Sequence, residues 1–258
     1  MRHIPAIAGR EIRSIFATPV AYVIFSAYAV FAGFIFFASL GLFLTQLQQI
    51  QALGMLQLLE QWNLNDVVIA PAFFTFAIIF LILVPLLTMR AFAEERATGS
   101  IELLLTSPVS VWEIVIGKYL AVLAVVALLV VMTALYPGLL FLYGNPEVAQ
   151  TLSGLLSLFC YGAGLAAMGC FVSALTQNQI IAAAVGIVAA LVLLVLPAAA
   201  EGGENEGVSE LLRYLGTSTH YEQGLRGQLR SEDFAYFGAM VLIFLSLGRA
   251  AIDSLRWR

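Results

Sequence analysis

The chain has 258 residues, of which 61% are hydrophobic and 11% charged, with a formal net charge of −4 and a mean hydropathy of +0.96. An ordinary globular domain carries roughly a quarter charged residues, so there is too little polar surface here to cover a water-soluble particle. The acidic balance excludes the basic footprint that a nucleic-acid partner needs. The two cysteines, Cys160 and Cys170, lie within one apolar stretch and form neither a disulfide framework nor a zinc-ligand spacing.

Residues 2–17 set Ile4, Ile7, Ala8, Ile12, Ile15 and Phe16 at near-helical spacing and leave Arg2, Arg10, Glu11 and Arg13 polar. This predicts an amphipathic helix lying in a membrane interface. Six apolar runs follow, at about 20–44, 68–89, 117–142, 152–175, 180–199 and 234–252. Each approaches or exceeds the roughly 20 residues needed to cross a bilayer core of about 30 Å. The first run continues well past the length of a signal-peptide core. Charge is nearly absent from the runs: Lys118 stands at the entrance of the third, and Arg249 near the end of the sixth can snorkel to the interface. The expected architecture is an all-α integral membrane protein, a single transmembrane domain over residues 1–258 with six spanning helices.

The distribution of basic residues predicts orientation. With the N-terminus in the cytoplasm, the inner segments hold Arg2, Arg10, Arg13, Arg90, Arg96, Lys118, Arg249, Arg256 and Arg258. The outer segments hold Arg213, Arg226 and Arg230, all in the longest loop, while the stretches 45–67 and 143–151 hold none. Both termini are therefore expected in the cytoplasm. The glutamine-rich stretch 45–67 reads as short helices on the outer surface. The loop 200–233 opens with a flexible EGGENEG and continues with VSELLRYL, a short amphipathic helix. The tight TQNQ turn at 176–179 makes the fourth and fifth spans antiparallel neighbours. Gly162, Ala166 and Cys170, four residues apart in the fourth span, predict close helix approach in lipid. Pro85, Pro137 and Pro197 lie in or near spans, where proline kinks or ends a helix.

Residues 89–119, MRAFAEERATGSIELLLTSPVSVWEIVIGKY, carry the most information. Charge returns at Arg90, Glu94, Glu95 and Arg96, Gly99 interrupts the helix, and Ile101 to Leu105 can form one or two further turns before Pro108 stops them. Ser110 and Glu113 match a capping box that starts the next helix at Val111. Leu103, Leu104 and Leu105 then sit on a short cytoplasmic element and need either a partner or the lipid surface.

Glu94 to Ala121 resembles the pattern E-E-R-x-x-G-[ST]-[IL]-E-L-L-x-[ST]-x-P-V of type-2 ABC exporter permeases, in particular the gliding-motility-associated and nitrous-oxide-reductase-maturation branches. Three further stretches are similar to those branches: Glu11 to Pro19 with Tyr22 near the N-terminus, Ser173 to Gln179 between the fourth and fifth spans, and His220 to Gly227 with Asp233, Tyr236 and Phe237 before the last span. The resemblance covers nearly the whole chain and departs at Gly224, where a bulkier residue is expected. It implies a permease in a bacterial inner membrane that pairs with a second six-span subunit and a cytoplasmic ABC ATPase dimer; an extracytoplasmic auxiliary protein is a further candidate partner, which the relay alternative below requires. A coupling helix docking on the ATPase would be formed or flanked by Gly99, Ser100, Ile101, Glu102, Leu105 and Pro108. Glu94, Glu95 and Arg96 would fix the end of the second span, and Arg10, Glu11, Arg13, Phe16 and Pro19 belong to the interfacial helix.

The chain itself has no G-x-x-x-x-G-K-[ST] phosphate loop, since Gly117-Lys118 is followed by Tyr119 and lacks the preceding glycine. ATP and Mg2+ are thus expected on a partner, and no cofactor, metal or catalytic residue on this chain. The spans offer no paired aspartates or nucleophile–base pair for a protease, and no mid-membrane acid for a proton-coupled carrier. His220 is the sole candidate base, and a lone loop histidine is far more often structural. Three functions remain: an ATP-driven permease for an unidentified cargo, a mechanical relay that passes ATP-driven motion to an extracytoplasmic partner and transports nothing, or a plain membrane assembly scaffold.

Overall fold

A long apolar run in lipid must satisfy its backbone hydrogen bonds internally, which leaves the helix as the available form for segments of this length. The computed structural model describes residues 3–54, 63–102, 109–144, 146–200 and 205–257, and every regular element among them is helical. An N-terminal helix α1 (Ile4–Ala17) leads through Thr18 into α2 (Pro19–Ala52). A π-helical turn, Asn65–Ile69, opens α3 (Ala70–Thr88), and the short α4 (Ala93–Ala97) follows. Then come α5 (Val111–Tyr143), α6 (Val148–Leu175) and α7 (Gln179–Ala200). Two short helices, α8 (Glu206–Leu215) and α9 (Thr217–Leu225), precede α10 (Ser231–Asp253).

Six of these segments are long and apolar enough to cross a membrane: Ala21–Ala52, Asn65–Ala97, Val111–Leu142, Val148–Leu175, Gln179–Ala200 and Ser231–Asp253. An even number of crossings returns the chain to the side where it started, so α1 and the end of α10 share one face, called here the N-terminal face. The helices are longer than the apolar runs because polar ends extend them. The first is the clearest case. Residues 45–52 do not form separate surface helices; they continue α2 without a break to Ala52. Glutamine is a good helix former, so the helix does not stop where its apolar run does. Residues 55–62 lie outside the described residues. The fourth and fifth spans are neighbours as expected, with Asn178 capping α7 by accepting from the Ile180 and Ile181 amides at 2.9 and 3.4 Å. Pro85, Pro137 and Pro197 all lie inside helices.

The helix α6 is the centre of the bundle. In its most apolar stretch 72% of residues are buried, against 22% in the first and fifth spans. It packs on α3, α5, α7, α9 and α10. Small residues make this possible: an added Cβ at Gly162 would lie 2.6 Å from a Val126 methyl, and one at Gly164 2.8 Å from the Met240 sulfur. The outer spans instead expose large apolar side chains, including Val30, Phe31 and Phe34 on α2 and Ile180 on α7, which only lipid or another membrane subunit can cover.

Gly224 belongs to the same packing. The Ser153 hydroxyl donates to its carbonyl, and a Cβ there would stand 1.8 Å from the Ser157 hydroxyl oxygen and 2.6 Å from its Cβ. The bulkier residue expected at this position has no room where α9 crosses α6. Overpacking of this kind costs about 1–3 kcal/mol. Gly224→Ala should therefore lower the unfolding temperature of the detergent-purified protein by several degrees. Adding Ser157→Gly should restore most of the loss, because it removes both atoms in the way.

Candidate functional site

The chain's single lysine, Lys118, lies about two turns into α5, with a side chain only 3% exposed. A buried ammonium needs charged partners, and it has two. Its Nζ is 2.9 Å from Glu95 Oε1 on α4 and 3.1 Å from Glu11 Oε1 on α1. Arg10 adds a second cation, 3.1 Å from Glu11 and 3.5 Å from Glu95. The Phe92 ring packs against the ammonium, 5.3 Å from its centroid. Two carboxylates and two cations from three separate elements thus form one knot on the N-terminal face.

Geometry on either side supports it. Gly117 lets α1 lie against α5: a Cβ there would be 2.8 Å from an Ile7 methyl. The apolar stripe of α1 is thus turned toward the bundle, with Ile7, Ile15 and Phe16 packed against the core and Phe16 stacked on Phe25 at 5.5 Å. Pro19 is the first residue of α2, where its missing N–H is harmless, and Arg13 is exposed.

The end of the second span is bolted to α6. The Ser173 hydroxyl accepts from the Phe92 and Ala93 amides, both at 3.1 Å, and donates to the Met89 carbonyl at 3.0 Å. The Arg96 guanidinium donates to the Ala174 carbonyl. Beyond α4, Gly99 has φ +73°, a left-handed conformation that disfavours any side chain, and it breaks the helix as expected. Ser100 bonds the Thr98 hydroxyl at 2.9 Å, Ile101 is buried, and Glu102 is exposed. Glu94 is exposed too, on a small cavity of about 110 Å3 shared with Glu11, Arg90 and Lys118. Leu103, Leu104, Leu105 and Pro108 lie outside the described residues. At the far side of that segment the capping box is present: Ser110 accepts from the Glu113 amide at 3.3 Å, and Glu113 accepts from the Ser110 amide at 3.2 Å. Arg249, 3.2 Å from Asp253, lies over the Trp112 ring at 5.1 Å and ties the end of α10 to the start of α5.

Arg10 and Glu11 on one helix and Glu95 on another are far apart in sequence, and Lys118, backed by the Phe92 ring, is what joins them. A lysine inside an apolar run was the available signal, because such a residue nearly always has a partner.

On the opposite face His220 is structural. Its Nε2 donates to the Tyr214 carbonyl at 3.0 Å, its Nδ1 lies 2.7 Å from Asp233 Oδ1, and its ring stacks on Tyr236 at 4.1 Å. Both ring nitrogens are occupied in holding α8, α9 and α10 together. Tyr221 next to it is fully buried and donates to the Phe73 carbonyl at 2.7 Å. Burial pushes its phenol well above the ordinary range, so it stays a donor. Among the described residues no group of three or more His, Cys, Asp or Glu side chains is placed to hold a metal.

A bundle of six apolar helices with a charged, helix-breaking connection at one face defines a multi-pass membrane protein. The chain matches the model of the ABC-2 family transporter proteins over residues 5–252, and it belongs to that family. It is the transmembrane subunit of an ABC transporter. A comparison with curated proteins gives no match.

Lys118→Met removes the buried cation between Glu11 and Glu95 and leaves them only the largely exposed Arg10 to share. Breaking a buried pair costs about 3–5 kcal/mol, toward the lower end here because both carboxylates keep some contact with water. The unfolding temperature of the purified protein should fall by about 6 °C or more. Glu11→Gln and Glu95→Gln added to Lys118→Met should recover much of it.

Proposed function

We propose that this chain couples ATP hydrolysis by a cytoplasmic ABC ATPase dimer to movement of a cargo across a bacterial inner membrane, with both of its own termini in the cytoplasm. The ATPase carries the ATP and Mg2+; this chain is not a catalyst. It works as a pair with a second six-span permease subunit, a copy or a homologue, which covers part of the apolar surface left open on the outer spans. The resemblance of Glu94 to Ala121 to the gliding-motility-associated and nitrous-oxide-reductase-maturation branches supports a relationship to them.

What carries this reading is a mechanical connection. The segment from Gly99 through Glu102 and Leu105 to Pro108 leaves α4 at a left-handed glycine and meets the capped start of α5. Both of its anchors converge on Lys118: α4 through Glu95, and α5 by bearing the lysine itself. A push on this segment from an ATPase below therefore reaches the second span, the third span and α1 together, and Ser173 passes it to α6. Glu94, Glu95 and Arg96 serve the coupling by holding α4 in place, Ser100 and Ile101 seat the segment on the bundle, and Glu102 offers its exposed carboxylate to the ATPase.

The relay reading draws support from the ordered structure on the opposite face, where α8 and α9 pack on α6 and α7 and form a surface on which an extracytoplasmic partner can dock. Stimulation of ATPase activity by that partner alone, with no cargo moved, would favour the relay.

The test is co-purification in mild detergent. The wild-type chain should bring down an ATPase that bears a phosphate loop. Gly99→Val, which forces a β-branched residue into a left-handed conformation at about 1–2 kcal/mol, should leave the bundle folded but reduce ATPase stimulation. Replacing Glu102 together with Leu103, Leu104 and Leu105 by alanine should abolish association. Undiminished association and stimulation in both variants would remove the coupling assignment.

A further inference from the structure

Membrane proteins of this kind keep arginine and lysine off the translocated side, and this chain nearly obeys: the segments facing away from the N-terminus hold only Arg213, Arg226 and Arg230. All three line the same cavity, of about 520 Å3, although they come from α8, the end of α9 and the loop before α10. A volume in this range suits a small molecule or a lipid headgroup. Each guanidinium is exposed, and among the described residues none of the three is ion-paired. One acidic side chain, Glu222, also faces the cavity, so the wall is left net positive.

The rest of the lining has two distinct halves. Leu194, Pro197 and Ala198, from the last turns of α7, form an apolar side. Ser218, Thr219, Gln223 and Gln228 form a polar one. The Gln223 side-chain oxygen is buried with no hydrogen-bond partner among the described residues, and turning that amide would aim N–H donors instead. The cavity thus sits where the fifth span ends and the polar layer begins, the depth at which a headgroup phosphate lies. Arginine's planar fork matches phosphate oxygens bidentately, and three such forks around one opening exceed what a carboxylate can use.

We propose that this cavity is a binding site for a phosphate-bearing anion, gripped by Arg213, Arg226 and Arg230, with the phosphate at the membrane boundary and any apolar part against Leu194 and Pro197. The site lies on the face opposite the coupling segment and does not depend on that assignment. The phosphate can belong to a lipid headgroup or to a soluble ester, and the two sources separate experimentally.

The full-length protein is purified in dodecyl maltoside, which carries no phosphate, and titrated with dioctanoyl phosphatidic acid and, separately, with inorganic phosphate, binding being read by calorimetry. Saturable binding of at least one probe is expected, weakened tenfold or more in the triple variant Arg213→Gln, Arg226→Gln, Arg230→Gln. Glu222→Gln should tighten it, because the one opposing charge is gone. A lipid source shows as phosphatidic acid binding that inorganic phosphate does not displace; a soluble source shows as binding of inorganic phosphate by itself. Absence of saturable binding by either probe would overturn the proposal, and so would equal binding by wild type and triple variant. Glu222→Gln, a single change at an exposed side chain, decides the matter independently should the triple variant fold poorly: weaker or unchanged binding there also counts against it.

Discussion

A lysine ammonium buried at the edge of a membrane bundle is costly unless opposite charge comes to it, and in this protein that requirement organises the whole N-terminal face. Lys118 is fixed to α5 by covalent structure, so Glu11 and Glu95 must be carried to it, on α1 and α4 respectively. That in turn requires α1 to lie across α5, which the missing side chain of Gly117 allows. It also requires the chain leaving the second span to turn back toward α5, which the Ser173 hydroxyl stabilises by capping α4. The segment between α4 and α5, to which we assign the coupling, is joined at both ends to elements that meet at one amine.

The second organising element is α6. At one end Ser173 and the Ala174 carbonyl hold the close of the second span. At the other, Gln150 donates to Asp66 at 2.7 Å and to the Leu225 carbonyl at 3.0 Å. There too, the fully buried Asn65 donates to the Thr151 hydroxyl at 3.2 Å and accepts from the Glu147 amide at 2.8 Å. These bonds satisfy polar groups that would otherwise be stranded in an apolar interior. One helix of 28 residues, about 42 Å long, therefore carries specific attachments at both faces of the bundle. The same unbroken helix thus bonds the close of the second span through Ser173 and the end of α9 through Gln150 and Ser153.

The spans were legible because lipid imposes one strong constraint, a long apolar run, and Ser110 with Glu113 and the break at Gly99 were legible because their partners are within three residues. What the sequence concealed is what depends on distant partners. Lys118 lies 107 residues from Glu11, and no local pattern links them. Gly224 reads as a departure from its family until Ser157 is seen against it. Arg213, Arg226 and Arg230 count as three isolated exceptions to a charge rule until α8, α9 and the following loop bring them to one cavity. The end of the first span was misplaced for a different reason: Gln46, Gln48, Gln49 and Gln51 mark the loss of apolar character but not the loss of helix.

The central claim is that α1 and the close of the second span move as one body when the ATPase works. Spin labels at the exposed Arg13 and Ala97, with a third at the exposed Glu210, test it in a background where Cys160 and Cys170 are replaced by alanine. Distances are measured by electron–electron double resonance in the complex reconstituted with its ATPase, with and without ATP. The account predicts that the distance from 13 to 97 is unchanged by nucleotide while the distances from both to 210 shift, as a rigid-body rotation requires. A nucleotide-dependent change between 13 and 97 as large as the change to 210 would contradict it.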